Sequence, residues 1–198
     1  MNKISYTRGG GLLEGFLARK RASKANSFIG DKFKIGKVLD IGCGYYPYFL
    51  LSTNIKNKYG IDPAVKENLL KDRKLKLIKD EVGNKKLPFK NDFFEVVTML
   101  AVFEHIDESR ITFVLSEVRR ILKRGGIFIV TTPAPWSDKL LHLMAIFNLV
   151  SKEEIYEHKH NENRETIEKK LLETGFKKNK IRSGFFEFGL NMWFVSEK

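Results

Sequence analysis

The sequence is short of cysteine, of acidic residues and of long apolar runs, and the first and last of these shortages exclude whole classes of protein. Cys43 is the single cysteine among 198 residues, which excludes an internal disulfide and a cysteine-rich zinc site. No apolar stretch follows a basic start, and none approaches the ~20 residues that cross a bilayer. We therefore expect neither a secretory signal nor a transmembrane helix, and the reducing cytoplasm is the expected compartment.

Acidic residues are outnumbered by basic ones, which raises nucleic acid or an anionic surface as a partner. The chain has 36 Lys and Arg against 24 Asp and Glu, a net charge of +12. A cluster at Arg19 to Lys24 lies near the N-terminus, but most lysines are spread along the chain. We therefore favour a solvated, lysine-rich surface over a specific polyanion site. Nucleic-acid binding and a peripheral membrane contact through the basic segment Leu12–Ile29 stay open as alternatives.

The most informative motif is a glycine-rich turn that follows a short apolar strand. The apolar run Val38–Ile41 predicts a buried strand, and Gly42 and Gly44 let the backbone turn tightly and approach a ligand. Asp62, at the end of the next predicted strand, comes 20 residues after Gly42. At about that separation a second parallel strand presents a carboxylate to a ribose. The two features together predict a nucleoside-binding site.

The turn departs from the dinucleotide-binding fingerprint at its third position. That fingerprint requires a small residue there, so that the following helix meets a pyrophosphate. Here Pro47, which tyrosines flank, makes a bulky loop, and Asp40 favours a ligand that carries a cation. The arrangement Asp40-x-Gly42-x-Gly44 resembles motif I of the class I S-adenosylmethionine-dependent methyltransferases. The cofactor of that family has an ammonium, a sulfonium and a ribose but no phosphate.

The rest of the chain predicts strands alternating with helices. Asp107 is the expected N-cap of an amphipathic helix that Lys123-Arg124 and Gly125-Gly126 would end. Gly175-Phe176 would begin a sixth strand. Further strands are predicted over 75–79, 94–100, 127–131 and 192–196, a loop or short strand over 185–188, and helices over 12–29, 136–150 and 164–174.

Three further segments are similar to successive motifs of the small-molecule branch of that family, namely 87–89, 103–106 and 122–130. The resemblance spans Lys37 to Pro133. It implies an α/β, Rossmann-like, doubly wound sheet of seven strands, mostly parallel, with an antiparallel last strand beside the fifth and helices on both faces. The length and the 42% apolar content fit a single domain, residues 1–198. Its expected parts are an N-terminal helical cap 1–36, a cofactor-binding core 37–133, a lid-like insertion 134–163, and the last helix and strands 164–198.

The resemblance also implies a set of cofactor-binding residues at the ends of the strands. The glycine turn would line the methionine part, Asp62 would bind both ribose hydroxyls, and Asp80 or Glu81 would lie near the adenine amino group. The choice between those two carboxylates stays open, because the spacer before the Leu-Pro-Phe segment is longer than in the family. The full set is Asp40, Gly42, Cys43, Gly44, Asp62, Pro63, Asp80, Glu81, Val82, Leu100 and Ala101.

The residues after the fourth strand reduce the range of possible methyl acceptors. In the family, Asn or Asp followed by Pro-Pro at this position is typical of enzymes that methylate base amino groups. A cysteine there is typical of enzymes that methylate a pyrimidine carbon. This chain has neither, because the segment reads Leu100 to Phe103. We expect an enzyme that uses S-adenosyl-L-methionine to methylate an O, N or C nucleophile of a small-molecule, sugar or lipid-linked acceptor. The alternatives are an RNA-modifying methyltransferase that docks through its basic surface and a non-catalytic nucleoside-binding or regulatory protein of the same fold.

Four histidines are candidates for a general base. His105 follows the fourth strand, where the resemblance favours shaping of the cofactor pocket over catalysis. His142 lies in the lid-like helix, and His158 and His160 precede the helix that begins at Arg164. No third ligand stands at helical spacing from these residues, so a metal site is not expected.

Overall fold

A single sheet of seven strands organises residues 12–66, 74–151 and 162–198, which are the part of the chain that the computed structural model describes. The strand order is β3-β2-β1-β4-β5-β7-β6. The first five strands run parallel, and β7 pairs antiparallel with both β5 and β6. The strands are β1 (Lys37–Ile41), β2 (Asn57–Ile61), β3 (Leu75–Ile78), β4 (Phe94–Leu100), β5 (Leu122–Pro133), β6 (Ile181–Phe186) and β7 (Asn191–Glu197).

Helices cover both faces of this sheet, so the side chains of its central strands alternate between two apolar clusters. Leu39 and Val97 belong to the cluster that includes α3 and α5, whereas Val38 and Val96 belong to the one that includes α1 and α2. None of the helices in the described ranges has the length and apolar run needed to cross a membrane. The helices are α1 (Glu14–Asn26), α2 (Tyr48–Ser52), α3 (Glu108–Ile121), α4 (Asp138–Ile146) and α5 (Arg164–Glu173).

The predicted fold class is confirmed, including the antiparallel strand beside the fifth. The fourth strand begins and ends where the apolar run places it, at Phe94 and Leu100. The first and fourth strands are neighbours, and chain connections leave them in opposite directions across the sheet. That is the topological switch point, where ligands bind in open α/β sheets.

The predicted end of α3 is wrong. The helix ends at Ile121, and the Lys123 to Gly126 segment, read from the sequence as its C-terminal stop, already belongs to β5. Pairing across the sheet overrides the local signal: the Gly126 carbonyl accepts a hydrogen bond from the Lys198 N–H at 3.0 Å. The Lys123 ammonium forms an ion pair with Glu95 of the neighbouring strand.

The predicted start of the sixth strand is also wrong. Gly175 has φ +93° and ends α5, and Phe176 is buried in the core. The strand begins only at Ile181, after a short 3₁₀ turn over Lys178–Lys180. The glycine thus reverses the chain after the helix, the position at which a left-handed residue commonly ends a helix.

Arg120 of α3 fixes the Leu-Pro-Phe segment. Its guanidinium donates to the Leu87 carbonyl at 3.1 Å, to the Phe89 carbonyl at 2.8 Å and to the Glu117 carboxylate at 2.7 and 2.8 Å. Glu117 in turn accepts from the Leu87 N–H at 2.8 Å. A planar cation with five donors suits this set of acceptors, so the segment is held to α3 by hydrogen bonds as well as by apolar packing.

Candidate functional site

A cavity of about 1330 Å³ opens at the carboxyl ends of β1, β2 and β4. All eleven residues of the predicted cofactor set line it. Small-molecule sites usually enclose about 300–1,000 Å³, so this cavity has room for a cofactor and a second ligand. The roles assigned to the eleven residues stay predictions, but the sheet brings them to one place.

The glycine turn at the base of the cavity has no room for a side chain. Gly42 has φ +71°, and a Cβ there would lie 2.1 Å from Cγ2 of Val102. Its N–H donates to the Ile61 carbonyl at 2.8 Å, which ties the turn to the end of β2. Gly44 also has a positive φ, +74°. Both glycines are therefore required by the conformation and, at Gly42, by the close approach of β4's end.

Asp62 joins the two motifs by hydrogen bonds. Its Oδ2 accepts from the Gly44 N–H at 3.0 Å, and its Oδ1 accepts from the Ala64 N–H at 2.7 Å. A carboxylate has about four acceptor positions, so each oxygen can accept a further hydrogen bond from a ligand. The side chain is thus held in place in the cavity wall with acceptor capacity to spare.

Asp40 is almost completely buried at the end of β1, with 3% of its surface exposed. Its Oδ1 accepts from the Thr98 hydroxyl at 2.5 Å. Burial raises the pKa of this carboxyl to about 7, with a smaller contribution from the nearby Asp62 charge, and the Thr98 hydrogen bond opposes the rise. Near neutral pH the group therefore holds a proton for much of the time, and a cation beside it would favour the charged form.

Cys43 is a buried, free cysteine within the glycine turn. Burial, followed by the charges of Asp40 and Asp62, raises the pKa of its thiol well above the ordinary value. Its Sγ occupies the space that a Cβ on Gly60 would need, at 2.8 Å. The thiol therefore stays protonated and fills space between β1 and β2, because only the thiolate is reactive.

Asp80 and Glu81 both line the cavity beyond the end of β3. Asp80 pairs with Lys85 at 2.9 Å, and the hydrogen bond from Lys85 lowers the pKa of Asp80. Glu81 lies 3.7 Å from the Arg110 guanidinium and is the more exposed of the two, 61% against 28% for the side chain of Asp80. Either carboxylate reaches the cavity, so the assignment of the adenine contact is still open between them.

The four histidines fall in different places. His105, in the 3₁₀ turn Phe103–His105, lines the cavity. His142 lies on α4, but its neighbours Leu141 and Met144 line the cavity and its own side chain does not. His158 and His160 lie outside the described residues.

Three carboxyl groups that the sequence interpretation did not single out also line the cavity, Glu14, Glu104 and Glu187. Glu104 is buried and accepts from the Thr132 hydroxyl at 3.1 Å. Glu187 lies in the turn between β6 and β7 with φ +51°. The available signal was a charged residue inside an aromatic run, Phe185 to Phe188, which is unusual for a simple core segment.

Glu187 is fixed through one carboxylate oxygen and has unused acceptor capacity on the other. Its Oε2 accepts from the Asn191 amide at 2.6 Å, while its Oε1 is buried and has no hydrogen-bond partner among the described residues. Burial raises the pKa of this carboxyl, against the opposing charges of Arg21 and Lys20 on α1. Buried carboxyls with raised pKa in a cavity are candidate proton acceptors.

The outer half of the cavity has apolar walls and a basic edge. It is formed by α1, α4 and the β6–β7 turn. Its apolar side chains include Leu13, Leu17, Leu141, Met144 and Leu190, and its cations are Lys20, Arg21 and Lys24.

Comparison with known proteins agrees with this geometry. Residues 39–130 match a family model described as a methyltransferase domain. An uncharacterized protein of Methanocaldococcus jannaschii is 39% identical over 93 residues, which are 47% of this chain and 39% of that protein. The chain therefore spans about two fifths of the length of the curated relative that it matches.

Solved structures share the fold. A SAM-dependent methyltransferase from Archaeoglobus fulgidus is similar with a TM-score of 0.68 at 19% identity, over 93% of this chain and 94% of that one. A phosphoethanolamine N-methyltransferase from Haemonchus contortus, in complex with S-adenosyl-L-methionine, has a TM-score of 0.65 at 16% identity. That likeness covers 91% of this chain and 52% of the other.

Proposed function

We propose that the chain is a class I S-adenosylmethionine-dependent methyltransferase, as the methyltransferase-domain match over residues 39–130 supports, and that it methylates an O, N or C nucleophile of a small or lipid-linked acceptor. The observation that supports this most is the single cavity described above. Its inner half holds the strand-end carboxylates and the glycine turn, and its outer half is apolar with a basic edge. Two ligands can therefore meet inside one site.

The residues of the inner half suit S-adenosylmethionine. Asp40 is a buried carboxyl whose pKa is about 7. A ligand ammonium beside it would favour the ionised carboxylate and form an ion pair with it. Asp62 offers two fixed carboxylate oxygens for a ribose, and the Gly42 turn lets the backbone come close to the ligand without a side chain between them. When bound, the cofactor supplies an activated methyl group on a sulfonium.

The chain has little covalent chemistry to perform. Its residues bind and orient the two ligands and exclude water, and positioning of this kind can account for about 7–11 kcal/mol of a barrier in favourable cases. The apolar side chains of α1 and α4 would exclude water from the outer half. The Cys43 thiol, packed between strands, would supply no nucleophile, and its predicted place in the cofactor site is unaffected.

A proton acceptor is needed when the nucleophile is protonated at neutral pH, and it adds about two to four powers of ten in rate. We propose Glu187 for this role, because its buried Oε1 has acceptor capacity and it lies in the outer half of the cavity. His105 is the alternative, since it lines the inner half near the end of β4.

The cofactor assignment is tested by titration calorimetry with S-adenosylhomocysteine. Asp62→Asn should bind about 10–100-fold more weakly, because a hydrogen bond to a charged group contributes about 1.5–3 kcal/mol. Asp92→Asn is the matched control. Asp92 has φ +51°, which asparagine tolerates, and its carboxylate pairs with Lys198 at the opposite edge of the sheet. Equal affinity of Asp62→Asn and the control would count against the ribose role.

The acceptor is tested by transfer of a labelled methyl group to three extracts: small metabolites, lipids and total RNA. We expect label in the metabolite or lipid fraction. Transfer to RNA alone would favour the alternative in which the basic helix docks a nucleic acid. Binding of the cofactor product with no transfer to any fraction would favour a non-catalytic nucleoside-binding protein.

A further inference from the structure

Helix α4 carries apolar residues on two opposite sides, and within residues 12–66, 74–151 and 162–198 only one of these sides is packed. Its inner side, with the buried Ala145, packs against Leu17 of α1. Its outer side and the residue after it present Leu143, Ile146 and Phe147, which are 51%, 62% and 68% exposed. A helix on the surface of a water-soluble domain normally has a polar outer face. This outer face is therefore suited to contact with an apolar environment.

Further exposed apolar side chains lie at both ends of α4. The Leu12 N–H donates to the Asn148 carbonyl at 3.1 Å, which places Leu12, 71% exposed, beside the end of α4. Trp136, 59% exposed, lies 3.3 Å from the Cβ position of Gly189, next to the fully exposed Phe188. Grouped apolar exposure of this kind marks an interaction site, unlike single exposed residues. We call these residues the apolar rim: Leu12, Trp136, Leu143, Ile146, Phe147 and Phe188.

Cations of α1 lie near the Phe188 end of the apolar rim, since the charges of Arg21 and Lys20 act on Glu187, the residue before Phe188. Arg19 and Lys20 are exposed, and Arg21 and Lys24 are partly exposed. The Lys20 ammonium lies 5.3 Å from the ring centroid of Phe16, which is itself 48% exposed. Apolar side chains next to Lys and Arg are the pattern of segments that lie in the plane of a membrane interface.

We propose that the apolar rim and the basic side of α1 form a docking surface for an anionic lipid bilayer. The rim would enter the headgroup region, and the α1 cations would meet the lipid phosphates. Charge complementarity favours this occupant over a second copy of the chain, because a two-fold contact would bring two basic helices together. Such docking is separate from methyl transfer itself. It would also make the outer half of the cavity, formed by α1, α4 and the β6–β7 turn, face the bilayer.

Co-sedimentation with lipid vesicles tests the proposal. Vesicles of equal parts phosphatidylglycerol and phosphatidylcholine should bind the chain at low salt, and vesicles of phosphatidylcholine alone should bind it much more weakly. Each cation at such a surface strengthens binding by about fivefold. The double variant Ile146→Ser, Phe147→Ser should bind anionic vesicles at least about tenfold more weakly, since two large apolar side chains are lost.

Ile35→Ser is the matched control. Ile35 is 84% exposed and precedes β1, at the edge of the sheet opposite the cavity, so this variant should bind vesicles like the unchanged chain. Circular dichroism verifies that every variant is folded, so the vesicle result stands even if the proposed methyl transfer fails. Equal binding to both vesicle types, or equal binding by the double variant and the control, would overturn the proposal. A dimer in sedimentation equilibrium that the double variant dissolves would overturn it too, in favour of a self-interface.

Discussion

Replacing Asp40 with asparagine should stabilise the ligand-free protein and weaken its cofactor site. The folded-state pKa of this carboxyl is about 7, against an ordinary value of 3.8. At pH values between the two, the unfolded chain releases the proton that the folded chain still holds. The contribution of Asp40 to stability is therefore complete below the ordinary pKa and is lost as the pH rises to about 7. Asparagine is never ionised, so the variant avoids this loss.

The magnitude follows from the same two values. A gap of about three pH units, at 1.36 kcal/mol for each, corresponds to about 4 kcal/mol in the free energy of unfolding above pH 7. Asparagine can still accept the hydrogen bond from Thr98, although its amide brings two donors into a buried position. That cost is the same at every pH. The test is therefore how the difference in free energy of unfolding, variant minus unchanged chain, changes with pH.

The assay is urea denaturation of both proteins from pH 4 to pH 8.5. The variant's advantage should rise by about 1.4 kcal/mol per pH unit up to pH 7 and then level off. The control Asp92→Asn should show no such gain, because its ion pair with Lys198 lowers the pKa of Asp92 instead. A difference that is the same at pH 5 and pH 8 would refute the reasoning.

The cofactor site provides a second measurement of the same group. If Asp40 binds the ligand ammonium, the carboxylate must ionise on binding, and the unchanged chain should release about half a proton at pH 7. Calorimetry with S-adenosylhomocysteine in buffers of different ionisation enthalpy measures that release. Asp40→Asn should bind more weakly at pH 8 and release no proton from this site.

Three further predictions follow from contacts described above. Gly42→Ala should lose about 3 kcal/mol or more in urea denaturation and fail to bind S-adenosylhomocysteine, whereas Gly125→Ala, with a similar φ of +74° and open space around it, should show only the backbone strain of about 1–3 kcal/mol. Arg120→Lys should lower the free energy of unfolding by about 1–3 kcal/mol, since one ammonium cannot reach all the acceptors of the fork, including Glu117. Glu187→Gln should retain product binding but lose turnover of the acceptor found in the labelling screen, and the unchanged enzyme should lose activity as the pH falls through the raised pKa of Glu187.

The sequence predicts those elements that have a local signal, such as a continuous apolar run. The parallel sheet then determines where the ends of these elements lie. Phe94–Leu100 is a continuous apolar run and is a central strand in the structure. Asp40 and Asp62 end neighbouring parallel strands, so their side chains reach the same edge and the same cavity. No information beyond strand order is needed to bring them together.

The failures occur where distant pairing decides the local conformation. Lys123 to Gly126 has the composition of a helix end, yet hydrogen bonds with Lys198, far along the chain, extend it into β5. Glu187 was missed for a related reason. Its cationic neighbours Arg21 and Lys20 come from α1, at the other end of the described chain, and no spacing in the sequence predicts that contact.

The place of β7 inside the sheet makes one side of the cavity depend on a single strand. Among the described strands, β6 is attached to the sheet only through β7. Local opening of β7 would therefore release the β6–β7 turn, with Glu187, and remove the acceptor wall, while the carboxylates at the ends of β1 and β2 would stay in place.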